Sequence, residues 1–285
     1  NDRTWCYWEK GKGDFDQLVY KSWDQILFSG THYQSQKSVS PYIYKMVRGI
    51  DFYREYLGRI SNYPNISIQK EEVLGINPSE NRVEIITNLG TYQCKKVFNS
   101  ALNYDKMVSQ KKFPVLQQHF LGWFLKTEKN TFDDRTATFM DFSIPQKGNT
   151  RFMYVLPFSK TEALVEFTLF SENLLPEPEY EDSLRDYLKN HLKCVNYFVS
   201  EVEKGSIPMT CYDFASANNE NLFHIGTAGG WTKASTGFTF MNTYKKTQSL
   251  VRLLKNGKSL DCLYKKDRFW FYDLLLLDIL HHNNS

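Results

Sequence analysis

The segment FHIGTAGGWTKASTGFTFMN, from Phe223 to Asn242, constrains the fold more than any other part of the sequence. A strand-like run leads into a loop with four glycines and several hydroxyl residues, and a helix-like run follows. Such a turn gathers backbone N–H groups near a helix N-terminus, where a polyanion or a polarised ring carbonyl can bind. A tight structural connection would look the same, so the segment alone leaves both interpretations open.

The composition is that of a globular protein with an unusual content of rings. The 285 residues are 41% hydrophobic and 24% charged, but 16% are aromatic. This excess indicates either a bulky core or a cavity for a flat, apolar ligand. The net charge of +3 is small and the lysines are scattered, which argues against a nucleic-acid-binding protein.

Metal and disulfide chemistry have little support in the sequence. The five cysteines are far apart and form no C-x-x-C pair, which favours reduced thiols in a cytoplasmic protein. No metal site is expected. The run FWFYDLLLL, from Phe269 to Leu277, is too short to span a bilayer. We expect it to begin an amphipathic helix that packs in the core, with contact to a membrane surface as the alternative.

Periodicity predicts the elements along the chain. The first 20 residues are predicted to be a loop with a turn, and residues 41–61 show helical spacing. Strand-like segments follow within 66–100, and four aromatic-rich strands within 116–171 predict an antiparallel meander with one apolar face. A helix is predicted over 177–205, a further strand begins at 206, and a last helix runs from about Thr236 to a C-cap at Gly257.

Two carboxylates lie within the aromatic-rich strands. Period-2 alternation places Glu166 on one face with Leu164 and Thr168, and Asp141 on the face of Phe139 and Ser143. A buried, unpaired carboxylate is costly, so each acid is exposed, paired or kept for chemistry at a raised pKa. Two acids on one sheet suggest a general acid in an apolar pocket.

Five blocks of sequence together resemble the bacterial lycopene beta-cyclase family. They are NDRTWCYW, QQHFLGWFL, ATFMDF, RFMYVLPFSKTEALVEFT and HIGTAGGWTKASTGFTFMN, in that order between residue 1 and about residue 242. The resemblance implies an α/β (α+β) protein with a flavoprotein monooxygenase-like FAD domain and an inserted antiparallel-sheet substrate domain. On this basis we expect domains at 1–105 (FAD), 106–205 (substrate), 206–260 (FAD again) and 261–285 (start of a C-terminal helical region).

The resemblance also implies an activity. Family members cyclise the linear ends of lycopene to beta-rings, giving beta-carotene, with FAD that is reduced by NAD(P)H and not consumed. Glu166 then matches the catalytic acid, and Asp141 matches an acidic position of the active site. The expected flavin contacts are Gly226, Thr227, Ala228, Gly229, Gly230, Thr236, Gly237 and Phe238. The expected substrate contacts are Trp231, Phe139 and Leu164.

The same family implies partners and a location. They are lycopene and other acyclic carotenoids, other enzymes of the carotenoid pathway, and the surface of the inner membrane, to which a cytoplasmic protein would bind peripherally. Nucleic acid is not expected. The family's G-x-G-x-x-G fingerprint for the FAD pyrophosphate is not found in the sequence. We therefore expect the chain to be an inactive fragment of a longer cyclase.

Two other kinds of function fit the same residues. The first is a flavin-dependent oxygenase or reductase acting on a lipid or isoprenoid, which would consume NAD(P)H or oxygen in proportion to product. The second is a non-catalytic carrier of carotenoid or lipid, which would bind its ligand without flavin and tolerate the loss of Glu166.

Overall fold

The computed structural model describes residues 4–282. Residues 1–3, which begin the first of the five blocks, and residues 283–285, which end the expected C-terminal helical region, lie outside the described residues. The strands are β1 (Thr4–Lys10), β2 (Val19–Trp23), β3 (Gln25–Gly30), β4 (Tyr33–Ser38), β5 (Tyr42–Arg48), β6 (Val73–Pro78), β7 (Val83–Thr87), β8 (Thr91–Cys94), β9 (Val97–Asn99), β10 (Val115–Thr127), β11 (Thr136–Asp141), β12 (Arg151–Pro157), β13 (Glu162–Ser171), β14 (Tyr197–Thr210) and β15 (Leu222–His224). The helices are α1 (Gly49–Ile60), α2 (Tyr104–Ser109), α3 (Glu177–Asn190), α4 (Phe240–Lys255) and α5 (Arg268–His282).

The chain divides into two compact units. Unit 1 consists of residues 1–55, 116–208 and 276–285, and unit 2 of residues 56–115 and 209–275. The predicted boundaries at residues 105, 205 and 260 differ from this division, because β3 within the first 55 residues pairs with β11. The functions assigned to the predicted domains stay predictions.

Unit 1 is built on a seven-stranded sheet with the order β14-β10-β13-β12-β11-β3-β4. The four predicted aromatic-rich strands are confirmed as β10 to β13, and β10–β13, β13–β12 and β12–β11 are antiparallel pairs. Strand β3 joins β11 in parallel. A second sheet of three antiparallel strands, β1-β5-β2, belongs to the same unit.

Both faces of the seven-stranded sheet are covered, whereas the sequence predicted one apolar face. On one face, Phe167 packs in a cluster with Leu184 of α3. On the other, Leu164 packs with Trp23 and Met46 of the three-stranded sheet. The buried Trp23 Nε1 also donates to the carbonyl oxygen of Pro157 over 3.0 Å. Since both faces of the sheet pack against other elements, apolar side chains occur on both faces of the strands and do not alternate with polar ones.

The first 60 residues differ from their prediction. The loop expected over residues 1–20 contains β1, and the helix expected over 41–61 begins only at Gly49 because β5 precedes it. Strand β5 lies between β1 and β2, so pairing on both edges outweighs its helical spacing. Its Lys45 is buried and binds Glu9 and Asp16, which satisfies a cation that would otherwise be costly to bury.

The helix predicted over 177–205 is too long. Helix α3 ends at Asn190, and the rest of the segment leads into β14. Tyr197 and Val199 alternate along β14 and pack against the cluster under α3. A period of two is typical of a strand. The sequence prediction missed the change from helical to strand periodicity after α3.

Unit 2 contains an antiparallel sheet, β6-β7-β8, and a parallel pair, β9 and β15. Helix α4 begins at Phe240 rather than at the predicted Thr236. Gly237 has a φ of +70° and donates to the Lys233 carbonyl oxygen, which closes a turn before the helix. The predicted C-cap is confirmed: Gly257 has a φ of +60° and donates to the carbonyl oxygen of Leu254.

Candidate active site

Glu166 lies near the middle of β13, on the face that packs against the three-stranded sheet. It alternates with Leu164, which belongs to that interface. Its cross-strand neighbours are Gly122 of β10 and Tyr154 of β12. The ring of Phe139 of β11 contacts the Tyr154 ring at a centroid distance of 5.9 Å. Glu166, Tyr154 and Phe139 therefore form one row of side chains across three neighbouring strands, and Gly122 of β10 leaves space on the other side of Glu166.

The environment of Glu166 favours the protonated carboxylic acid. Its pKa is raised to about 8, mainly because burial disfavours the charged form and further because Glu203 places a negative charge nearby. Thr168 Oγ1 donates to Glu166 Oε1 over 2.7 Å, which opposes the rise. A carboxyl group with this pKa holds its proton at neutral pH and can act as a general acid.

Glu203 of β14 is a second acid in the same unit, and it was not predicted. Only 7% of it is exposed. Its carboxylate accepts from the Thr4 backbone N–H over 2.9 Å and from the Thr4 hydroxyl over 2.7 Å. The negative charge of Glu203 is the second cause, after burial, of the raised pKa of Glu166.

An aromatic wall faces the row that contains Glu166. The Trp8 ring stacks on Tyr44 at 4.4 Å, and Phe139 meets these two rings edge-on at 5.3 Å and 5.7 Å. Trp8, Phe139 and Tyr154 are only partly buried although they lie between two sheets. The electron-rich ring faces of such a wall attract positive charge.

Other ionisable groups near Glu166 are held neutral. Burial is the main cause that raises the pKa of the Cys6 thiol and of the Tyr44 and Tyr154 hydroxyls. The charge on Glu166 raises each pKa further. A neutral, apolar ligand would therefore meet few charged groups in this space.

Gly122 fits the row because it has no side chain. A Cβ atom at this position would lie 2.8 Å from Leu164 Cδ1 and 3.3 Å from Glu166 Cβ. Both distances are shorter than ordinary carbon contacts. A glycine inside a strand often marks a close approach, and here it allows the stem of Glu166 to lie against the backbone of β10.

Asp141 lies on the opposite face of the sheet from Phe139, so the predicted shared face is wrong. A bulge in β11 places one extra residue between the pairs Thr138–Val155 and Asp141–Met153. Asp141 therefore faces α3, where it accepts from the Tyr187 hydroxyl over 2.7 Å. Its other oxygen accepts from the Ser143 N–H and hydroxyl at 2.9 Å and 2.6 Å.

Asp141 borders a cavity of about 620 Å³ on that side of the sheet. Ser143, Tyr187 and His191 line it as well, and the His191 ring stacks on Tyr187 at 4.8 Å. Asp141 accepts three hydrogen bonds from protein groups and so links β11 to α3. The structure does not bring it together with Glu166.

The glycine-rich loop lies in unit 2, directly after β15. It forms a short 3₁₀ turn from Gly226 to Gly229, and the αL residue Gly230 ends the turn. The N–H groups of Gly229, Gly230 and Trp231 donate to carbonyl oxygens within the same loop. These three donors are therefore already used, and the predicted cluster of free N–H groups is smaller than expected.

Two observations on this loop fit a bound flavin. A Cβ atom on Gly226 would meet nothing within 4 Å, and the φ of +57° also favours glycine there, so a flat group can approach the backbone. Thr236 Oγ1 is buried and has no hydrogen-bond partner among residues 4–282. By contrast, a Cβ on Gly229 would lie 2.2 Å from the His224 oxygen, so Gly229 faces the protein and not a ligand.

The three predicted substrate contacts differ in accessibility. Trp231 is 1% exposed and packs in a cluster with Phe223 and Leu250. Leu164 is 2% exposed and lies in the interface between the sheets. Neither offers surface to a substrate in this structure. Phe139 is partly exposed beside Tyr154, so it alone of the three has accessible surface, and its contact with a substrate stays a prediction.

Sequence reasoning missed several residues of this site. Glu203 fell within a predicted helix, and Trp8 and Tyr44 fell within a predicted loop and a predicted helix, so none could be assigned to a face. Gly122 did carry a signal, because an isolated glycine within an aromatic-rich strand is unusual.

Comparisons with known proteins support the family and the fold. The model of the family described as "Lycopene cyclase protein" matches residues 1–270. Among curated proteins, none matches the chain by sequence. Many solved structures resemble the fold, and their sequence identities are low enough that the resemblance concerns the fold alone.

Three of these structures illustrate the similarity. A geranylgeranyl bacteriochlorophyll reductase-like protein from Thermoplasma acidophilum has a TM-score of 0.61 at 14% identity, over 96% of this chain and 71% of its own. The p-nitrophenol 4-monooxygenase PnpA from Pseudomonas putida has a TM-score of 0.59 at 12% identity, over 90% and 71%. A variant of HpxO from Klebsiella pneumoniae, complexed with FAD, has a TM-score of 0.61 at 13% identity, over 95% and 74%. The predicted mixed α/β, flavoprotein monooxygenase-like fold is confirmed.

Proposed function

The chain belongs to the lycopene cyclase family, and from this premise we propose that its activity is the acid-catalysed closure of the linear ends of lycopene to beta-rings. The observation that carries the proposal is the raised pKa of Glu166, about 8, in a wall of aromatic rings. An acid that is protonated at neutral pH and surrounded by apolar groups suits a polyene, which has no polar group to bind.

Glu166 is the proton donor in this proposal. Thr168 occupies Oε1 of the carboxyl group, so Oε2 is the oxygen that carries the proton. Transfer of this proton to the terminal double bond of lycopene leaves a tertiary cation on the neighbouring carbon. The internal double bond attacks that carbon, which forms the ring bond and moves the positive charge into the ring.

The aromatic wall stabilises the cation. Trp8, Tyr44, Phe139 and Tyr154 supply ring faces without a nucleophile that could capture the cation, because burial keeps both tyrosine hydroxyls protonated. Loss of a ring proton to the Glu166 carboxylate then forms the new double bond. Atoms and charge balance, and Glu166 ends in its starting state.

FAD is the cofactor that we propose for this chain, in its reduced form and with NAD(P)H as the reductant. The backbone at Gly226 and the unpartnered hydroxyl of Thr236, together with Gly237, would lie against it. When bound, a reduced flavin supplies negative charge that stabilises a nearby cation. The HpxO variant in the comparison was solved with FAD, which supports the choice of cofactor.

The test is expression of the protein in cells that accumulate lycopene, with pigments separated by chromatography. The native protein is expected to yield beta-carotene, and Glu166→Gln to leave lycopene, with a loss on the order of a thousandfold. Glu162→Gln, on the same strand but partly exposed and paired with Lys126, is the matched control and should behave like the native protein. Lycopene left untouched by the native protein would contradict the proposal.

A flavin-dependent oxygenase or reductase is the second candidate, and the reductase-like and monooxygenase structures of similar fold favour it. It would consume NAD(P)H in proportion to product, whereas a cyclase needs the flavin to be reduced only once. Measuring NAD(P)H consumed against product formed separates the two. A non-catalytic carrier would bind carotenoid both as the native protein and as Glu166→Gln. Neither protein would convert lycopene to beta-carotene.

A further inference from the structure

A second cavity lies in unit 2, where the glycine-rich loop, α4 and the segment that leads into α5 meet. Its volume is about 580 Å³, and its walls include Lys246 and Trp270. Every lining residue belongs to unit 2. Gly226, Thr236 and Gly237, which we propose to contact the flavin, do not line it. The cavity is therefore separate from those contacts.

Lys246 of α4 is a cation of this cavity without an acidic partner. Its side chain is partly buried, and its Nζ donates to the Leu263 carbonyl oxygen over 3.2 Å. The same atom lies 5.9 Å from the centre of the Trp231 ring. Within residues 4–282, no carboxylate forms an ion pair with it. An ammonium group carries three donors, and the Leu263 oxygen satisfies only one of them.

The surroundings of Lys246 leave its charge poorly compensated. Burial is the main cause that lowers its pKa, and the charge of Asp267 opposes this effect. Asp267 is already engaged, because its Oδ1 accepts from two backbone N–H groups in the first turn of α5. Asp273, which also lines the cavity, binds Lys233. A bound anion would therefore offset the cost of burying the Lys246 ammonium group.

Backbone donors lie in the same wall. The N–H groups of Thr232 and Ala234 donate to no acceptor within the described residues 4–282. Both residues line the cavity. Ala234 is buried, and a buried N–H group without a partner is rare in folded proteins. Together with Lys246, these donors suit the oxygen atoms of an anion.

The start of α5 differs from its prediction. The sequence predicted that the run from Phe269 to Leu277 packs in the core, but Phe269 is 53% exposed and lines the cavity. That prediction is therefore wrong for Phe269. Among residues 4–282, no helix, α5 included, is both long and apolar enough to pass through a membrane.

Aromatic rings form another part of the cavity wall. Trp270 is partly exposed, and Lys266 Nζ lies 4.4 Å from the centre of its ring. Tyr264 is also partly exposed, and its hydroxyl donates to the His224 carbonyl oxygen over 2.6 Å. Rings fixed in this way favour a ligand with a flat, apolar part.

We propose that this cavity binds an organic anion with a flat, apolar part. Its phosphate or carboxylate oxygens would accept from Lys246 Nζ and from the N–H groups of Thr232 and Ala234. Its apolar part would lie against Tyr264 and Trp270. This binding is independent of the proposed cyclase activity, because it needs neither Glu166 nor a flavin.

The experiment is calorimetric titration of the purified protein with phenyl phosphate, inorganic phosphate and neutral benzyl alcohol. The test variant is Lys246→Met. The matched control is Lys245→Met, at the adjacent position of α4, which is exposed and does not line the cavity. Circular dichroism checks that the variants fold, and Lys246→Gln replaces the test variant if it does not.

Phenyl phosphate is expected to bind the native protein and the control more tightly than inorganic phosphate does, and benzyl alcohol is expected not to bind. Lys246→Met should bind phenyl phosphate about tenfold or more weakly, and Lys246→Arg should keep part of the affinity. Benzoate, titrated in the same way, distinguishes a carboxylate from a phosphate ester as the preferred anion.

Three results would overturn the proposal. The first is a native protein that binds none of these anions, and the second is an equal loss of affinity in Lys246→Met and Lys245→Met. The third concerns FAD, because Gly229 and Gly230 of the glycine-rich loop also line the cavity. Phenyl phosphate should bind equally well when FAD is added, whereas its displacement by FAD would assign the cavity to the flavin.

Discussion

Glu166 and Asp141 lie on opposite faces of one sheet. The β-bulge in β11 turns Asp141 toward α3, whereas Glu166 points toward the three-stranded sheet. The two acids, which an alternating pattern would place together, therefore have separate environments. One is desolvated and has a raised pKa, and the other accepts three hydrogen bonds.

Asp141→Asn is expected to retain cyclisation and to lose stability. The substitution weakens charge-assisted hydrogen bonds from Ser143 and Tyr187, which lowers the free energy of unfolding by about 1–3 kcal/mol. Chemical denaturation measures the stability, and pigment analysis in lycopene-accumulating cells measures the activity. A folded Asp141→Asn protein that leaves lycopene unchanged would assign Asp141 a part in the reaction.

Glu203→Gln is expected to shift the pH dependence of activity. The acid form of Glu166 is the active one, so activity falls as the pH rises through its pKa. Removing the charge of Glu203 lowers this pKa, because that charge is the second cause of the rise after burial. The fall in kcat should therefore occur at lower pH. Glu201→Gln, at an exposed position of the same strand, is the control. An unshifted profile in Glu203→Gln would show that the two acids are not coupled.

Gly122→Ala is expected to displace Glu166 and reduce kcat. The new Cβ would press on Leu164 and Glu166, which costs about 1–3 kcal/mol of stability and about tenfold or more in rate. Gly30→Ala, where a Cβ would meet nothing within 4 Å, is the control. Adding Leu164→Val removes the nearer contact and should restore part of the rate. No rescue by the double variant would mean that Gly122 does not act through this contact.

His119 is expected to make the protein less stable at mildly acidic pH. Its ring is buried, its Nε2 contacts Ser171 Oγ at 2.7 Å and its Nδ1 contacts the Tyr180 hydroxyl at 2.6 Å. Burial is the main cause that lowers its pKa to about 4, and Arg151 lowers it further. The unfolded chain takes up a proton below about pH 6.5 and the folded protein does not.

The contribution of the neutral His119 ring to the free energy of unfolding is fully present above about pH 6.5. It is lost as the pH falls toward 4. Between pH 7 and pH 5, the loss is about 2 kcal/mol. The measurement is the difference in the free energy of unfolding at the two pH values, for the native protein and for His119→Gln. His119→Gln should lack this part of the slope, and the exposed His32→Gln should keep it. Equal slopes in all three proteins would exclude His119 as the cause.

The sequence was sufficient to predict the sheet that carries Glu166, because β10 to β13 are long, aromatic and separated by clear turns. It was insufficient for Asp141, since a bulge changes the face of a residue without changing the alternating pattern. It was insufficient for β5 as well, where pairing with β1 and β2 overrides helical spacing. Glu203 could not be assigned to the site, because the segment 177–205 was predicted to be one helix. Its first part forms α3, but its last part, which contains Glu203, belongs to β14.

The raised pKa of Glu166 also has a thermodynamic consequence for the fold. In the unfolded chain this carboxyl ionises above about pH 4.5, whereas in the folded protein it stays protonated up to about pH 8. Across that interval ionisation favours the unfolded state, so the native protein becomes less stable as the pH rises. Glu166→Gln, which cannot ionise, should unfold at a higher temperature than the native protein at pH 8, and at a similar temperature at pH 4. The property that suits Glu166 to proton donation therefore lowers the stability of the native protein, and the loss is largest at high pH.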